Sequence, residues 1–339
     1  MTQNREGRSS GMSFGSLARR PEAGSLVGLV LVYTFFAIMG GAVFVGAPGW
    51  SSWLNIAAEV GIVALPVGLL MIAGELDISV GSVIPASQMT AAIISGHFGL
   101  PILLGIGCGL GVGLLVGYIN GLLVTRTTIP SLIITIGTMF GVMGLTLGFA
   151  VLIAGSTSVF LVPDPLTKLV LGTFLGGMFN VSIFWWIAFA IVIYFLLHFS
   201  PLGNWIFALG GDRDSARNAG IPTRGLTIWL YMLSGFAAAF VGILQLMTYQ
   251  NAQVATGQSF IFNSIMCVVI GGVILTGGSG SVIGIVIGTA TFAIVNQGIF
   301  FSGLDPNIGS IIIGALLLAA VLSNDGFRAL ALKYSTKKG

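Results

Sequence analysis

The stretch Pro101–Val124 reads PILLGIGCGLGVGLLVGYINGLLV and contains no Asp, Glu, Lys or Arg. As a helix rising 1.5 Å per residue it is about 36 Å long, more than the ~30 Å hydrocarbon thickness of a bilayer. Within it Gly105, Gly109, Gly113, Gly117 and Gly121 recur every fourth residue. Residues four apart share one helix face. A row of glycines on that face is a seam along which a second backbone can approach closely. The segment predicts a membrane-spanning helix in the middle of a bundle, surrounded by protein.

Nine further apolar stretches extend this reading: Ser25–Val45, Ser52–Ala73, Ile78–Ser95, Ile129–Ile153, Val181–Phe199, Gly225–Met247, Ile261–Leu275, Ser281–Phe301 and Ile308–Leu322. The whole chain is 55% hydrophobic and 7% charged, against roughly 25% charged in a soluble domain, and its mean hydropathy is +1.04. Ten spans of about 20 residues account for about 200 of the 339 positions and leave no room for a large soluble domain. Gly is 51 of 339, about twice the roughly 7% that is usual. The expected fold is an all-α polytopic membrane protein of about ten transmembrane helices, one or more of them broken or re-entrant.

The third stretch is the candidate for a break, because it holds Ser79, Ser82, Ser87 and Gln88, and Pro85 is expected to kink or interrupt it. Leu166–Phe179 reads as a surface or re-entrant piece weakened by Gly172, Gly176 and Gly177. Gly280, Gly284 and Gly288 form a second glycine row, and Gly81-Ser82-Val83-Ile84 is repeated at Gly280-Ser281-Val282-Ile283.

Charge sets the orientation. With the N-terminus in the cytoplasm and ten spans, Arg5, Arg8, Arg19, Arg20, Arg126, Arg213, Arg217, Arg224, Arg328, Lys333, Lys337 and Lys338 all fall inside, and only Lys168 falls outside. Positive-inside bias requires this distribution. Both termini are then cytoplasmic. The expected division is a tail at 1–24, a transmembrane permease domain at 25–323 containing a cytoplasmic loop at 200–224, and a tail at 324–339.

Several kinds of chemistry are excluded. No lysine follows a glycine, so a Walker A phosphate loop cannot form. There is no HExxH. Cys108 and Cys267 stand alone in apolar stretches as small packing residues. His97 sits in a short outer turn and His198 at an inner helix end. No metal, cofactor or catalytic residue is expected, and a net charge of +3 is too small to suggest nucleic acid.

Polar groups inside spans are therefore the informative ones. Glu59 is nine residues past Trp50, about 13 Å along a helix, and Trp50 and Trp53 read as interface anchors. An intramembrane carboxylate either lines a pathway or bonds helices together. Gln88, Asn120, Gln245, Asn263, Asn296 and Gln297 offer amides that suit a hydroxyl-rich solute or hold helices to one another. Glu59, Gln88, Asn263 and Asn296 are the candidate translocation-pathway residues.

In the loop, Gly210-Gly211 marks a turn, and Asp212, Asp214 and Ser215 can start a helix at about 214–219, with Gly220 and Pro222 ending it. Asp212, Arg213, Asp214, Arg217 and Asn218 then expose charge either to a partner or to solvent.

Four ordered motifs carry a resemblance: GELDISVGSV at Gly74–Val83, NGLLVTRTTIPSLIITIGT at Asn120–Thr138, GGDRDSARNAGI at Gly210–Ile221, and VVIGGVILTGGSGSVIG at Val268–Gly284, followed by Asn296-Gln297-Gly298. From about Asn55 to Asn324 the chain resembles the ribose/xylose/arabinose-type permease subunits of ABC importers, with Glu75 where those usually carry Gly. The resemblance implies cytoplasmic ATPase subunits, a periplasmic or lipid-anchored solute-binding protein, and a second permease subunit, either identical or related. It implies a sugar-like solute and a bacterial inner-membrane location. It assigns Asp212, Arg213, Asp214, Ser215, Ala216, Arg217, Asn218 and Gly220 to ATPase coupling. Two rivals stand beside it, an ion-coupled secondary transporter and an ABC permease for branched-chain amino acids. The spans contain no Arg or Lys to meet a carboxylate, which favours a neutral solute.

Overall fold

The computed structural model describes residues 21–303 together with Asp305, Ile311, Gly314 and Ala315. Its longer helices are α1 (Pro21–Val45), α2 (Ala47–Ile72), α3 (Val80–Ala92), α4 (Ile102–Arg126), α5 (Ser131–Ala154), then α7 (Ser182–Phe199), α10 (Thr223–Tyr249), α11 (Gln258–Ile270) and α12 (Val282–Phe301). Short helices α6 (Pro165–Leu171), α8 (Pro201–Gly211) and α9 (Arg213–Asn218) fill the connections. Among the described residues seven helices, α1, α2, α4, α5, α7, α10 and α12, are long and apolar enough to cross a membrane. They match seven of the ten predicted stretches. Most of the tenth, Ile308–Leu322, and the tails at 1–20 and 324–339 lie outside the described residues. Helix α1 begins at Pro21, inside the predicted tail at 1–24.

The third and eighth stretches are the broken ones. Helices α3 and α11 have 13 residues each, about 20 Å of rise. Helix α3 continues through a wide turn at Ile93–His97. The break lies before α3 rather than at Pro85, and α3 runs through Pro85. The cause is Gly74, whose φ of +83° suits glycine and ends a helix in the left-handed conformation. The amides of Gly74 and Glu75 close onto the carbonyls of Met71 and Leu70. Helix α11 stops in the same way. Gly272 has φ +88°, and the amides of Gly272 and Val273 donate to Val269 and Val268. A helix start follows each stop, but the repeated tetrapeptide is out of phase. It begins inside α3 and before the start of α12, where Ser281 accepts from the Gly284 amide as a cap at 3.0 Å.

Helix α4 is held by its glycine row. All five glycines are buried. A Cβ at Gly121 would stand 2.6 Å from Ile228 Cα, and one at Gly109 would stand 2.7 Å from the Ser87 carbonyl oxygen. Gly113 and Gly117 press on the backbone of α10 at Gly235 and Tyr231. Helices α2, α10 and α12 form the interior, whereas α1, α5 and α7 turn apolar side chains such as Ile38, Leu152 and Val192 outward. So does the face of α4 away from its glycines, with Leu103 and Leu115, so α4 is not surrounded by protein as expected but packs along one face. Trp53 belongs to the interior at 6% exposure, so of the two expected interface anchors only Trp50 faces outward.

The all-helical expectation needs a small addition. Ser158–Phe160 (β1) pairs antiparallel with Asn251–Gln253 (β4), with Val159 opposite Ala252. Phe174–Leu175 (β2) pairs with Phe179–Asn180 (β3). The predicted surface piece at 166–179 is thus α6 and a hairpin. Asp164 caps α6 by accepting from the amides of Leu166 and Thr167, and the Thr167 hydroxyl and these amides hold its carboxyl below the usual carboxylate range. These strands gather at one end of the bundle, and α8 and α9 lie at the other.

The α4–α10 seam yields a prediction. Gly117→Val drives a side chain into the Tyr231 backbone and should destabilise the detergent-solubilised protein by about 3 kcal/mol, the upper range for overpacking. Gly111→Ala, on the open face, should be neutral or slightly stabilising by helix propensity. Thermal unfolding of the two variants side by side checks this, and equal midpoints would remove the seam from the account.

Candidate functional site

At the α9 end, three stretches of main chain meet at glycines. A Cβ on Gly210, near the end of α8, would collide with the Ile72 carbonyl and stand 2.6 Å from the Gly278 nitrogen. One on Gly277 would be 2.9 Å from Gly74 Cα and 3.0 Å from the Gly210 oxygen. The Gly278 amide donates to the Ile72 carbonyl at 2.8 Å. The breaks after α2 and after α11 therefore touch each other and the segment leading into α9.

The turn between α2 and α3 is pinned by side chains from four helices. Asp77 is 1% exposed. One carboxylate oxygen accepts from the Ser79 amide (2.9 Å) and hydroxyl (2.6 Å), and the other accepts from the Ser234 hydroxyl of α10 (2.7 Å). Asn120 of α4 donates to the Ser79 hydroxyl at 2.8 Å. Tyr231 donates its hydroxyl to the Leu76 carbonyl at 3.0 Å, and the Leu76 amide donates to the Ser131 hydroxyl of α5 at 3.2 Å. Glu75 pairs with Arg213 of α9 at 2.7 Å. Buried polar groups need such partners. The sequence reading passed over Asp77, Ser131, Thr227, Tyr231 and Ser234. A signal was present, since Thr227, Tyr231 and Ser234 are spaced to share one face of α10.

Helix α9 spans Arg213–Asn218, one residue earlier than expected at each end. Asp212 caps it, accepting from the Ser215 amide at 2.6 Å. That bond holds the Asp212 carboxyl below the usual carboxylate range, so the cap is present at neutral pH and is lost only as pH falls through that lowered value. Gly220, with φ +83°, ends the helix, and the Gly220 and Ile221 amides close on the Arg217 and Ala216 carbonyls. Asp214 and Arg217 pair at 3.1 Å on the exposed face, with side chains 81% and 69% accessible. Asn218 is also exposed. Ala216 is buried at 4%. It faces the chain's own interior, so the small residue expected to lie flush against a partner packs inward. Arg213 likewise turns to Glu75 and to Thr227 at 3.0 Å.

The candidate pathway residues divide. Ser52, Asn55 and Glu59 share one face of α2 by their spacing. Glu59 accepts from Gln245 of α10 at 2.8 Å. Ser52 donates to Gln297 at 2.5 Å, and Gln297 donates to Asn296 at 3.0 Å. Asn55 donates to the Met178 carbonyl and accepts from the Asn180 amide, both at 2.9 Å. Glu59 and Asn296 thus belong to one half-buried polar strip linking α2, α10 and α12. Gln88 is elsewhere. It is 1% exposed and donates to the Gln253 carbonyl at 3.0 Å and to the Thr256 hydroxyl. The side chain of Asn263, half-buried on α11, forms no hydrogen bond among the described residues. No cluster of three His, Cys, Asp or Glu side chains that could hold a metal forms among the described residues.

Comparison with known proteins agrees with this architecture. A family model described as branched-chain amino acid transport system / permease component matches residues 49–321. The fructose import permease protein FrcC of Rhizobium meliloti is 29% identical over 318 residues, covering 92% of this chain and 87% of its own. The autoinducer 2 import system permease protein LsrD of Photorhabdus laumondii is 32% identical over 265 residues, 78% of this chain and 79% of its own. The inner membrane ABC transporter permease protein YjfF of Escherichia coli is 33% identical over 283 residues, 80% and 82% of the two chains. The glycine-pinned helix breaks, the capped short helix and these matches lead to one assignment: the chain belongs to the branched-chain amino acid transport system / permease component family, as a multi-pass inner-membrane permease component and not an enzyme.

Proposed function

We propose that this chain carries a sugar or related polyhydroxyl solute into the cytoplasm by alternating access, as the membrane subunit of an ABC importer whose ATPase subunits and binding protein are separate chains. The observation that carries the reading is the family match, joined to a capped short helix with an exposed charged face at one end of the bundle. Relatives named for fructose and autoinducer 2 import support the solute class. So does the α2–α10–α12 strip, which offers amides and a hydroxyl to a solute that both donates and accepts. The family description names amino acids, but an amino-acid carboxylate would lack a cationic partner, because no Lys or Arg lies in the interior of a span. Ion coupling uses ionisable groups inside the membrane, and of the carboxylates Asp77 and Glu59 in the bundle, Asp77 is taken up by Ser79 and Ser234, which leaves Glu59.

In this reading ten spans place both termini, and the α9 end, in the cytoplasm. Asp214, Arg217 and Asn218 face the ATPase, and Asp212, Ser215 and Gly220 shape the helix that presents them. A second permease subunit, identical or related, completes the pathway. Glu59 and Asn296 line it, and Gln88 and Asn263 stand near its other helices.

Reconstitution tests the function. The chain alone should hydrolyse no ATP and move no solute. With its ATPase subunits and binding protein in proteoliposomes, it should take up labelled sugar only when ATP is present. Uptake by the chain alone under an imposed proton or sodium gradient would overturn the reading. Orientation is checked on a Cys108→Ala background: a cysteine at Ser215 should react with an impermeant maleimide only from the cytoplasm, and one at Ser156 only from outside. Reversed labelling would refute the ten-span arrangement. At the strip, Glu59→Gln keeps a hydrogen bond to Gln245, whereas Glu59→Leu leaves that amide unpaired at about 1–3 kcal/mol. Uptake should largely survive the first and fail in the second, and normal uptake by Glu59→Leu would take the strip out of the pathway.

A further inference from the structure

We propose that the Arg213–Glu75 ion pair is the link through which movement of α9 reaches the membrane helices, an inference that rests on the importer reading. Arg213 is the first residue of α9, and its guanidinium forks. One nitrogen meets Glu75 at 2.7 Å, on the turn between α2 and α3, and the other donates to Thr227 at 3.0 Å, in the first turns of α10. A planar fork can hold two partners in fixed directions, which a lysine ammonium cannot do.

Glu75 is a firm point to pull on. Beside it, Leu76 is bonded at both its amide and its carbonyl, and Asp77 is buried against Ser79 and Ser234. Displacement of Glu75 therefore displaces the start of α3 as a unit. The ion pair also borders a polar cavity of about 370 Å³ lined by Gly74, Glu75, Thr127, Thr128, Ser131 and Arg213. The cavity gives the pair room to shift without breaking the packed seam of α4 on α10. Helix α9 then has two working sides. Asp214 and Arg217 face outward and are exposed, and Arg213 reaches inward. Among the described residues no other ion pair joins α9 to the rest of the chain. Arg213 is a positioning residue, acting on the pathway through Glu75.

The test uses Arg213→Gln, Glu75→Gln and the reversed pair Glu75→Arg with Arg213→Glu, each in the full chain. In proteoliposomes with the ATPase subunits and binding protein, each single variant should co-purify with the ATPase. Sugar taken up per ATP hydrolysed should fall about tenfold. The reversed pair should recover at least half of the parent ratio, which a merely structural loss would not allow. In a second arm on the chain alone in nanodiscs, hydrogen exchange at Leu76–Val83 should accelerate about tenfold in Arg213→Gln, with α10 interior amides unchanged. A parent ratio in the single variants overturns the link, as does failure of the reversed pair to recover despite normal assembly. Loss of ATPase co-purification overturns it too, and makes Arg213 a docking residue. If the parent complex shows no ATP-driven uptake, the importer reading falls, and the exchange arm still decides whether Arg213 holds the turn.

Discussion

Everything at the α9 end depends on three main chains meeting with no side chain between them. Gly210 and Gly277 stand where a single Cβ would force the backbones apart, and Gly74, with its φ of +83°, makes the turn that meets them. Close approach of this kind is what small residues supply in membrane proteins, where lipid gives no hydrophobic drive for helix association. Once the backbones touch, the turn at 74–79 lies within reach of α4, α5, α9 and α10 together. Without the contact, Asp77 would keep its Ser79 bonds but lose the shell that excludes water from them.

That shell explains how a carboxylate survives in the interior of an apolar bundle. A buried charge is costly unless hydrogen bonds satisfy it. Asp77 accepts from one amide and two hydroxyls, and hydrogen bonds to a charged group contribute about 1.5–3 kcal/mol each. The oxygen of Asn120 remains without a protein partner while its nitrogen holds Ser79. The network is directional: it fixes the turn from the α4, α5 and α10 sides and leaves the α9 side to one ion pair.

Much of this was legible in the sequence, and what was not has a physical reason. The four-residue glycine period of Pro101–Val124 announced the α4 seam because period and face are the same fact in a helix. The short helix was legible because capping chemistry is local: Asp212 and Gly220 act on residues within one turn. The break at Gly74 was misassigned to Pro85. Proline signals a lost donor, but here the glycine closes the helix and the proline is accommodated, packed against Gly257 with its φ of +99°. Partnerships between distant residues, such as Glu75 with Arg213 or Glu59 with Gln245, leave no periodic mark. Ala216 was read as a contact residue because smallness fits a tight external contact as well as a tight internal one, and only packing distinguishes them.

The pinned turn also bears on how the chain can be made. Asp77 and its partner Ser234 are 157 residues apart, and ribosomes add about 5–20 residues per second. For on the order of ten seconds after Asp77 leaves the ribosome, its α10 partner does not yet exist. During that interval the nascent α2–α3 hairpin carries two carboxylates, Glu75 and Asp77, that the finished protein covers. An early hairpin of this kind has reason to stay at the water interface until residues 213–234 emerge. Insertion of the first half is then completed by synthesis of the second, and a chain stopped between the two halves exposes an acidic turn that membrane quality control can recognise.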